Sequence, residues 1–271
     1  MRNVIAHYHT YKNSGSSFDE LLTENFGDKH VVFDGPFPYT QFNQVELSKI
    51  IVRHTNAVAF SSHQIHLPVP SHLAFNVLAV AFLREPLLRI QSIYSYSKNL
   101  YAQVEDPQDI TDPIVRWAGE NDFDGWINQQ RETGELFHVS NAQTHLFSGL
   151  YGGPGPAKLE HANTKNAFRR LDVEQAKRNV STVPLLARTE HYEQDIAAFP
   201  KILASHGIDF LADKRPPTNV STSHLDKSPE QRISLVKSEL SDETLNWLGV
   251  ANALDTELHR FASRLIHSRA H

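Results

Sequence analysis

The sequence predicts an α/β fold with a central parallel sheet flanked by helices. A continuous apolar run, Leu78–Leu83, is typical of a parallel strand that is covered on both faces. Apolar runs of this kind alternate along the chain with segments of helical spacing, as the connections of a parallel sheet require. The 271 residues are enough for one large domain with a substantial core. We therefore expect a single α/β domain.

The first strand and helix indicate an anion-binding loop. Val4–Ala6 is a short apolar strand, a loop of small and polar residues containing Gly15 follows, and apolar residues at helical spacing occupy 18–22. Between a strand and a helix N-terminus, loop N–H groups and the positive end of the helix dipole converge on one point. Such an arrangement favours phosphate or sulfate.

The composition of this loop is compatible with anion binding. Ser16 and Ser17 supply hydroxyl donors, and Lys12 supplies a positive charge. The loop is not a Walker A motif, in which the lysine directly follows the second glycine, because Lys12 precedes Gly15 by three residues. An ordinary turn capped by Ser16 is an equally good interpretation of the loop alone.

A second segment places an arginine at the end of the Leu78–Leu83 strand. Arg84 follows the strand, and Pro86 suits the first turn of the next helix. Ligands of open α/β sheets bind beyond the carboxyl ends of the strands. With Arg89 and Ser92 on that helix, Arg84 suits a second phosphate. A simple ion pair between Arg84 and a carboxylate is the alternative.

Together the two segments resemble the PAPS-dependent sulfotransferases, in particular the branch that contains the carbohydrate sulfotransferases; PAPS is 3′-phosphoadenosine 5′-phosphosulfate. Lys12–Phe18 resembles the loop Pro-Lys-Thr-Gly/Ala-Gly-Thr-Ser-hydrophobic of that branch, from its lysine onward. Leu83–Tyr94 reproduces the spacing of its 3′-phosphate motif, Leu-Arg-Asp-Pro-x-x-Arg-x-x-Ser-x-Tyr.

Further segments extend the resemblance over most of the chain, in the family's order: Ser61–His63, Asn141–Gly149, Leu186–Glu190 and Asp255–Ala262. Three positions depart from the family pattern. Tyr11 replaces the usual proline, Glu85 the usual aspartate, and Ser62 the common glycine before the histidine.

The resemblance implies a three-layer, P-loop-like fold, with residues 1–271 as one sulfotransferase domain and 101–160 as a helical and loop insertion on the acceptor side. The residues it implies for the 5′-phosphosulfate are Lys12, Asn13, Ser14, Gly15, Ser16 and Ser17. Those for the 3′-phosphate are Arg84 and Ser92, and a late loop with Lys214 and Arg215 would close over the nucleotide.

The implied reaction moves a sulfuryl group from PAPS to a hydroxyl, with PAP as the other product. It requires a base for the hydroxyl and positive charge near the leaving group, and no metal. The resemblance makes His63 the base, with His66 as the alternative, and Lys12 the positive charge. His7 and His9 could line the acceptor side. The sixteen histidines form no zinc-binding motif of the His-Glu-x-x-His type.

Composition limits the other classes of function. The net charge of −5 argues against nucleic-acid binding. The absence of cysteine excludes disulfides and metal sites with thiolate ligands. The absence of a long apolar stretch and of a signal peptide leads us to expect a cytoplasmic protein without a membrane span. We expect the acceptor to be a small molecule or a glycan, and the resemblance favours a carbohydrate. The oligomeric state is not indicated.

Two rival functions stay open at this point. A P-loop kinase or other NTPase would need a Walker lysine and a carboxylate for Mg²⁺, and neither is in place. A non-catalytic relative that binds PAP or a sulfated glycan would keep the same loops as an active enzyme.

Overall fold

A computed structural model describes residues 1–35, 42–149, 170–212 and 227–270. Its centre is a sheet of five parallel strands in the order β2-β3-β1-β4-β5. The strands are β1 Arg2–Tyr8, β2 His30–Val32, β3 Ala59–Ser62, β4 Phe75–Leu83 and β5 Leu185–Arg188. The predicted α/β fold with a central parallel sheet is confirmed.

Helices in the described ranges flank this sheet. They are α1 Gly15–Phe26, α2 Gln44–Arg53, α3 Pro86–Ala102, α4 Pro113–Glu120, α5 Phe123–Thr133, α6 Ala142–Ser148, α7 Arg170–Ser181, α8 Tyr192–Ile196, α9 Phe199–Ala204, α10 Pro229–Ser238, α11 Asp242–Ala251 and α12 Ala253–Ala270. No helix among the described residues is long and apolar enough to cross a membrane.

Two helix pairs in the C-terminal part of the chain are separated by short breaks. Ala197 and Ala198 separate α8 from α9, and Asn252 separates α11 from α12. The Asn252 side chain donates to the carbonyl oxygens of Val139 (2.7 Å) and Leu248 (3.1 Å). This contact with a distant part of the chain positions the break.

The sheet buries both of its faces, which gives the three-layer arrangement. Along β1, Val4 and Ala6 lie in the core shared with α2, α7 and α12. Ile5 lies in the opposite core, with α1, α8 and α9. This alternation follows from the two-residue period of a strand.

A third apolar cluster lies among α3, α4, α5, α10 and α11. Its largest member, Trp126, is fully buried, and its indole N–H donates to the carbonyl oxygen of Ile114 (3.0 Å). Helices α4 and α5 fall in the segment expected to be an insertion. They pack on α3 and on helices from the C-terminal part of the chain.

The strand order determines where a ligand site can form. Because all strands are parallel, the segments that follow β1, β3 and β4 emerge at the same edge of the sheet. Strands β1 and β4 are neighbours, and the connection after β1 leads to β2 on one side whereas the connection after β4 leads to β5 on the other. Such a reversal opens a crevice at the carboxyl ends of the strands.

Candidate functional site

The loop between β1 and α1 has an uncommon backbone conformation. Lys12 and Ser14 have φ angles of 64° and 60°, in the left-handed region that non-glycine residues seldom adopt. Ser14 stands at the N-cap position of α1, and its side chain makes no capping hydrogen bond. The first N–H groups of a helix have no intrahelical acceptor. The loop therefore presents amide donors at the sheet edge, as anion-binding loops do.

Gly15 is required by its contact with His9. A Cβ atom at this position would lie 1.9 Å from the His9 Cδ2 atom and 2.0 Å from its Nε2 atom. No side chain fits at that distance. The imidazole of His9 thus packs directly against the first residue of α1.

The Gln143 side chain connects the two predicted phosphate-binding segments. Its Oε1 atom accepts from Asn13 Nδ2 and from the Arg84 main-chain N–H, both at 2.8 Å, and its Nε2 atom donates to the Arg84 carbonyl oxygen at 2.8 Å. Asn13 Nδ2 also donates to the Phe82 carbonyl oxygen (2.8 Å). Asn13, expected to bind the co-substrate, therefore has its amide NH₂ turned into the protein, where it fixes the loop.

Gln143 is itself fixed by reciprocal capping of two helices. The Asp255 carboxylate accepts the N–H groups of Gln143 (3.0 Å) and Thr144 (2.6 Å) at the start of α6. In return, Asn141 Oδ1 accepts the N–H groups of Leu254 (3.0 Å) and Asp255 (3.1 Å) at the start of α12. Two of the segments noted in the sequence are thus parts of one contact.

Three arginines at this edge have buried donor atoms without a partner in the described ranges. Arg84 Nη1 donates to the Lys12 carbonyl oxygen (2.9 Å), but its Nε has no acceptor. Arg89 is 2% exposed, has one long bond from Nη1 to the His138 carbonyl oxygen (3.4 Å), and leaves Nε and Nη2 unpaired. Arg232, on α10, leaves Nε unpaired.

The electrostatics of this cluster favour an anion. Burial and the neighbouring Arg84 charge lower the pKa of Lys12 to about 8, and burial lowers the pKa of Arg89 to about 10. The Lys12 ammonium lies 4.2 Å from the ring centroid of Tyr96, a weak substitute for a counter-ion. Burial alone would raise the pKa of Glu190, but His259 and Arg84 hold it below its usual value.

The other residues expected at the phosphate sites take varied positions. Ser16 is exposed and Ser17 half-buried in the first turn of α1. Ser92 is half-buried on α3, one turn after Arg89 and on the same side of the helix. Lys214 and Arg215 lie outside the described residues.

His63 is oriented by a carboxylate, Asp34, that was not among the predicted site residues. The Asp34 carboxylate accepts from His63 Nδ1 (2.7 Å), from the His63 main-chain N–H (2.9 Å) and from Ser62 Oγ (2.9 Å). Burial alone would raise the pKa of Asp34, but these hydrogen bonds keep it low. A charged carboxylate accepts only, so Nδ1 carries the proton and Nε2 is left as the basic nitrogen.

His63 is in contact with the anion-binding loop through His9. The two imidazoles stack with their centroids 3.7 Å apart, and His9 also packs against Gly15. The His63 side chain is 35% exposed, so a ligand can reach it. His63 and the loop between β1 and α1 thus belong to one continuous site.

His7, His9 and Asp19 form a buried group that the sequence did not indicate, because Asp19 comes from α1. Asp19 Oδ1 lies 2.7 Å from His7 Nδ1, and Asp19 Oδ2 lies 2.8 Å from His9 Nδ1. Their nitrogen and oxygen atoms are close enough to suit a metal ion. Each of the two Nδ1 atoms has its own carboxylate oxygen at hydrogen-bond distance, however, and this pairing already satisfies the carboxylate.

His66, the alternative base, has a different environment. Burial lowers its pKa to about 4, and no hydrogen bond in the described residues orients its ring. It lines a cavity of about 570 Å³ that His9 and His63 also line. The geometry therefore favours His63 over His66 as a proton acceptor.

Replacement of Gln143 by leucine should destabilise the protein. It would leave the half-buried main-chain N–H and carbonyl of Arg84 without partners, at roughly 1–3 kcal/mol each, so we expect the free energy of unfolding to fall by about 2–6 kcal/mol in urea titrations. Gln130→Leu is the matched control. Gln130 is equally buried, but its Oε1 has no partner, so this change should cost less than about 1 kcal/mol. Equal losses would contradict the proposed role of Gln143.

Comparison with known proteins does not indicate an activity for this chain. No protein-family profile matches the chain. An uncharacterised protein of the archaeon Archaeoglobus fulgidus is 29% identical over 263 residues, which cover 95% of this chain and 94% of that protein. The similarity extends over nearly the full length of both chains.

Proposed function

We propose that this protein is a PAPS-dependent sulfotransferase that transfers a sulfuryl group to a hydroxyl acceptor. The observation that carries the proposal is the set of unpaired guanidinium donors of Arg84 and Arg89 beside the Lys12 loop. Buried donors without partners are costly and rare in native proteins. A bound ligand with two separate anionic groups would satisfy the arginines and the loop together.

The residues present fit the two anionic groups of PAPS. The amides at the start of α1, with Ser16 and Lys12, suit the 5′-phosphosulfate because they combine helix-terminal donors with a positive charge. Arg84 and Ser92 suit the 3′-phosphate, since a guanidinium donates to phosphate oxygens in a fixed geometry. When bound, PAPS supplies an activated sulfuryl group.

His63 and Asp34 suit the activation of the acceptor. With Nδ1–H directed to Asp34, His63 Nε2 can take the hydroxyl proton as the oxygen becomes nucleophilic. The Asp34 carboxylate compensates the positive charge that then forms on the imidazole, as an orienting carboxylate does in other histidine-based sites. With PAPS held in this way, Lys12 and the α1 amides would stabilise the negative charge that develops on the leaving phosphate.

The protein should distinguish PAP from AMP and ATP. Arg84 is expected to contact the 3′-phosphate, which only PAP carries, so PAP should raise the melting temperature well above the shift given by AMP or ATP. Arg84→Gln should reduce the PAP shift to the AMP level and weaken PAP binding by roughly 10–100-fold, the scale of a hydrogen bond to a charged group. Differential scanning fluorimetry and calorimetric titration measure these effects.

Arg131→Gln is the control for this experiment. Arg131 is an exposed arginine on α5 that pairs with Glu243 (2.9 Å), so its loss should leave nucleotide binding unchanged. Equal thermal shifts from PAP and ATP in the unmodified protein would contradict the proposal and support an NTPase.

PAP affinity should fall as the pH rises above about 8. The Lys12 pKa is lowered to about 8, and the phosphates of PAP are already ionised at pH 7. At pH 9 only about a tenth of the free protein would have a charged Lys12, so the dissociation constant should rise about tenfold between pH 7 and pH 9. Lys12→Arg keeps its charge over this range and should remove most of the change. A tenfold rise that persists in Lys12→Arg would assign the titration to another group.

Turnover should depend on the His63–Asp34 pair and not on His66. His63→Ala should reduce turnover of radiolabelled PAPS by roughly 10²–10⁴-fold, the usual contribution of a general base, without weakening PAP binding. Asp34→Asn should give a comparable loss. Its amide NH₂ would face His63 Nδ1 and favour the tautomer with a proton on Nε2, which cannot accept another.

His66→Ala is the control for the base. It should retain most of the turnover, since no carboxylate orients His66 among the described residues. Normal turnover in His63→Ala together with loss in His66→Ala would transfer the role to His66.

A further inference from the structure

The cavity beside His63 has the size and position of an acceptor site. Its volume is about 570 Å³, within the range of small-molecule sites. It is bounded by the segments after β1 and β3, by α3 and α4, and by residues leading into and through α6. Tyr11 and Tyr96, which flank the Lys12 ammonium, line it together with His63. The cavity therefore opens onto the position proposed for sulfuryl transfer.

The wall of this cavity is mainly apolar. Nine of the 22 described residues that line it are aliphatic or phenylalanine, and three more are tyrosine. Of these apolar residues, Ile93 and Leu100 lie on α3, Val115 lies on α4, and Phe137 lies in the short turn before α6. A wall of this composition favours a ligand with a large apolar body.

The described part of the wall also lacks positive charge. It contains no lysine or arginine, and its one carboxylate, Asp112, is exposed and accepts the Ile114 N–H at the start of α4. Burial lowers the pKa of His66 to about 4 and that of His145 to about 3, so these imidazoles are neutral at pH 7. An acidic sugar or a phosphorylated compound would find no counter-charge there.

A neutral sugar would also be poorly matched. Thr10, Gln64 and Ser97 line the cavity, but they are only 8%, 3% and 2% exposed. Gln64 Oε1 already accepts the Gly35 N–H (2.6 Å). Gln64 Nε2, Tyr8 Oη and His138 Nδ1 are buried without a partner in the described residues, so the wall can pair with only part of a sugar's hydroxyls. A sugar carries a hydroxyl on most of its carbons, and each one buried without a partner costs roughly 1–3 kcal/mol.

We infer that this cavity binds an uncharged alcohol or phenol with an apolar body and directs its hydroxyl to His63, an inference that rests on the proposed sulfotransferase function. The resemblance to carbohydrate sulfotransferases favours a sugar; the cavity wall favours an aryl or alkyl alcohol. In the transfer, the acceptor oxygen bonds to sulfur, the bond between sulfur and the 5′-phosphate oxygen breaks, the hydroxyl proton passes to His63 Nε2, and PAP leaves.

The test compares 2-naphthol and 1-octanol with methyl β-galactoside as ligands of the full chain in the presence of PAP. We expect calorimetric binding of the first two only, and transfer of radiolabelled sulfate from PAPS to 2-naphthol at least tenfold faster than to the galactoside. Leu100→Gln should weaken 2-naphthol binding by roughly tenfold, the effect of placing a polar group in an apolar wall, with PAP binding unchanged. Val115→Gln is a second variant in case the first fails to fold.

Leu235→Gln is the matched control, because Leu235 is 40% exposed on α10 and does not line the cavity. Preferred binding or sulfation of the galactoside, or 2-naphthol binding unaffected by both cavity variants, would overturn the inference. A different outcome would separate the two proposals. If the protein does not bind PAP but its binding of 2-naphthol still depends on Leu100, sulfuryl transfer is contradicted and an apolar alcohol or phenol as the ligand is supported.

Discussion

The candidate site depends on one buried amide, that of Gln143. Its hydrogen bonds join the Asn13 side chain after β1 to the Arg84 main chain after β4. These are the two strand ends that the sheet topology already brings side by side. Topology alone would bring them near each other, and the amide sets their relative position to within hydrogen-bond tolerance. Asp255, reaching from α12, fixes Gln143 in turn, so the C-terminal helix takes part in aligning loops from the first third of the chain.

The unpaired arginine donors lower the stability of the free protein and increase its affinity for an anionic ligand. Arg89 is buried with two nitrogens unpaired in the described residues, and burying a cation without a partner is among the least favourable arrangements in a protein. Asp255 offsets part of this cost through its charge. A ligand anion would offset more, because it would bind the folded state alone and stabilise it by mass action. The electrostatic cost in the free protein is thus a source of affinity for the proposed co-substrate.

Local patterns could predict the parallel sheet, the strand–loop–helix unit around Lys12 and the position of Arg84 after β4, because each depends on consecutive residues. They could not predict Asp34 as the partner of His63. That pairing requires β2 to lie beside β3, and the sequence of a single strand does not indicate its neighbours in the sheet. The break at Asn252 likewise depends on Val139, over a hundred residues away. The position of Arg232 at the site was not predictable either, because it results from the packing of α10 near α3 and no sequence motif indicates that packing. The apolar cavity assembles from several elements and has no single sequence signal.

The stacked histidines show how packing can prepare a base. Burial, opposed by the hydrogen bond to Asp19, lowers the pKa of His9 to about 4, so its ring is neutral at pH 7. His63, stacked at 3.7 Å, can then take a proton without facing a second cation, and Asp34 on its other nitrogen compensates the new charge. His9 occupies this place only because residue 15 has no side chain. Gly15 begins α1 and also leaves room for the neutral imidazole against which His63 stacks, so one residue serves both halves of the proposed reaction.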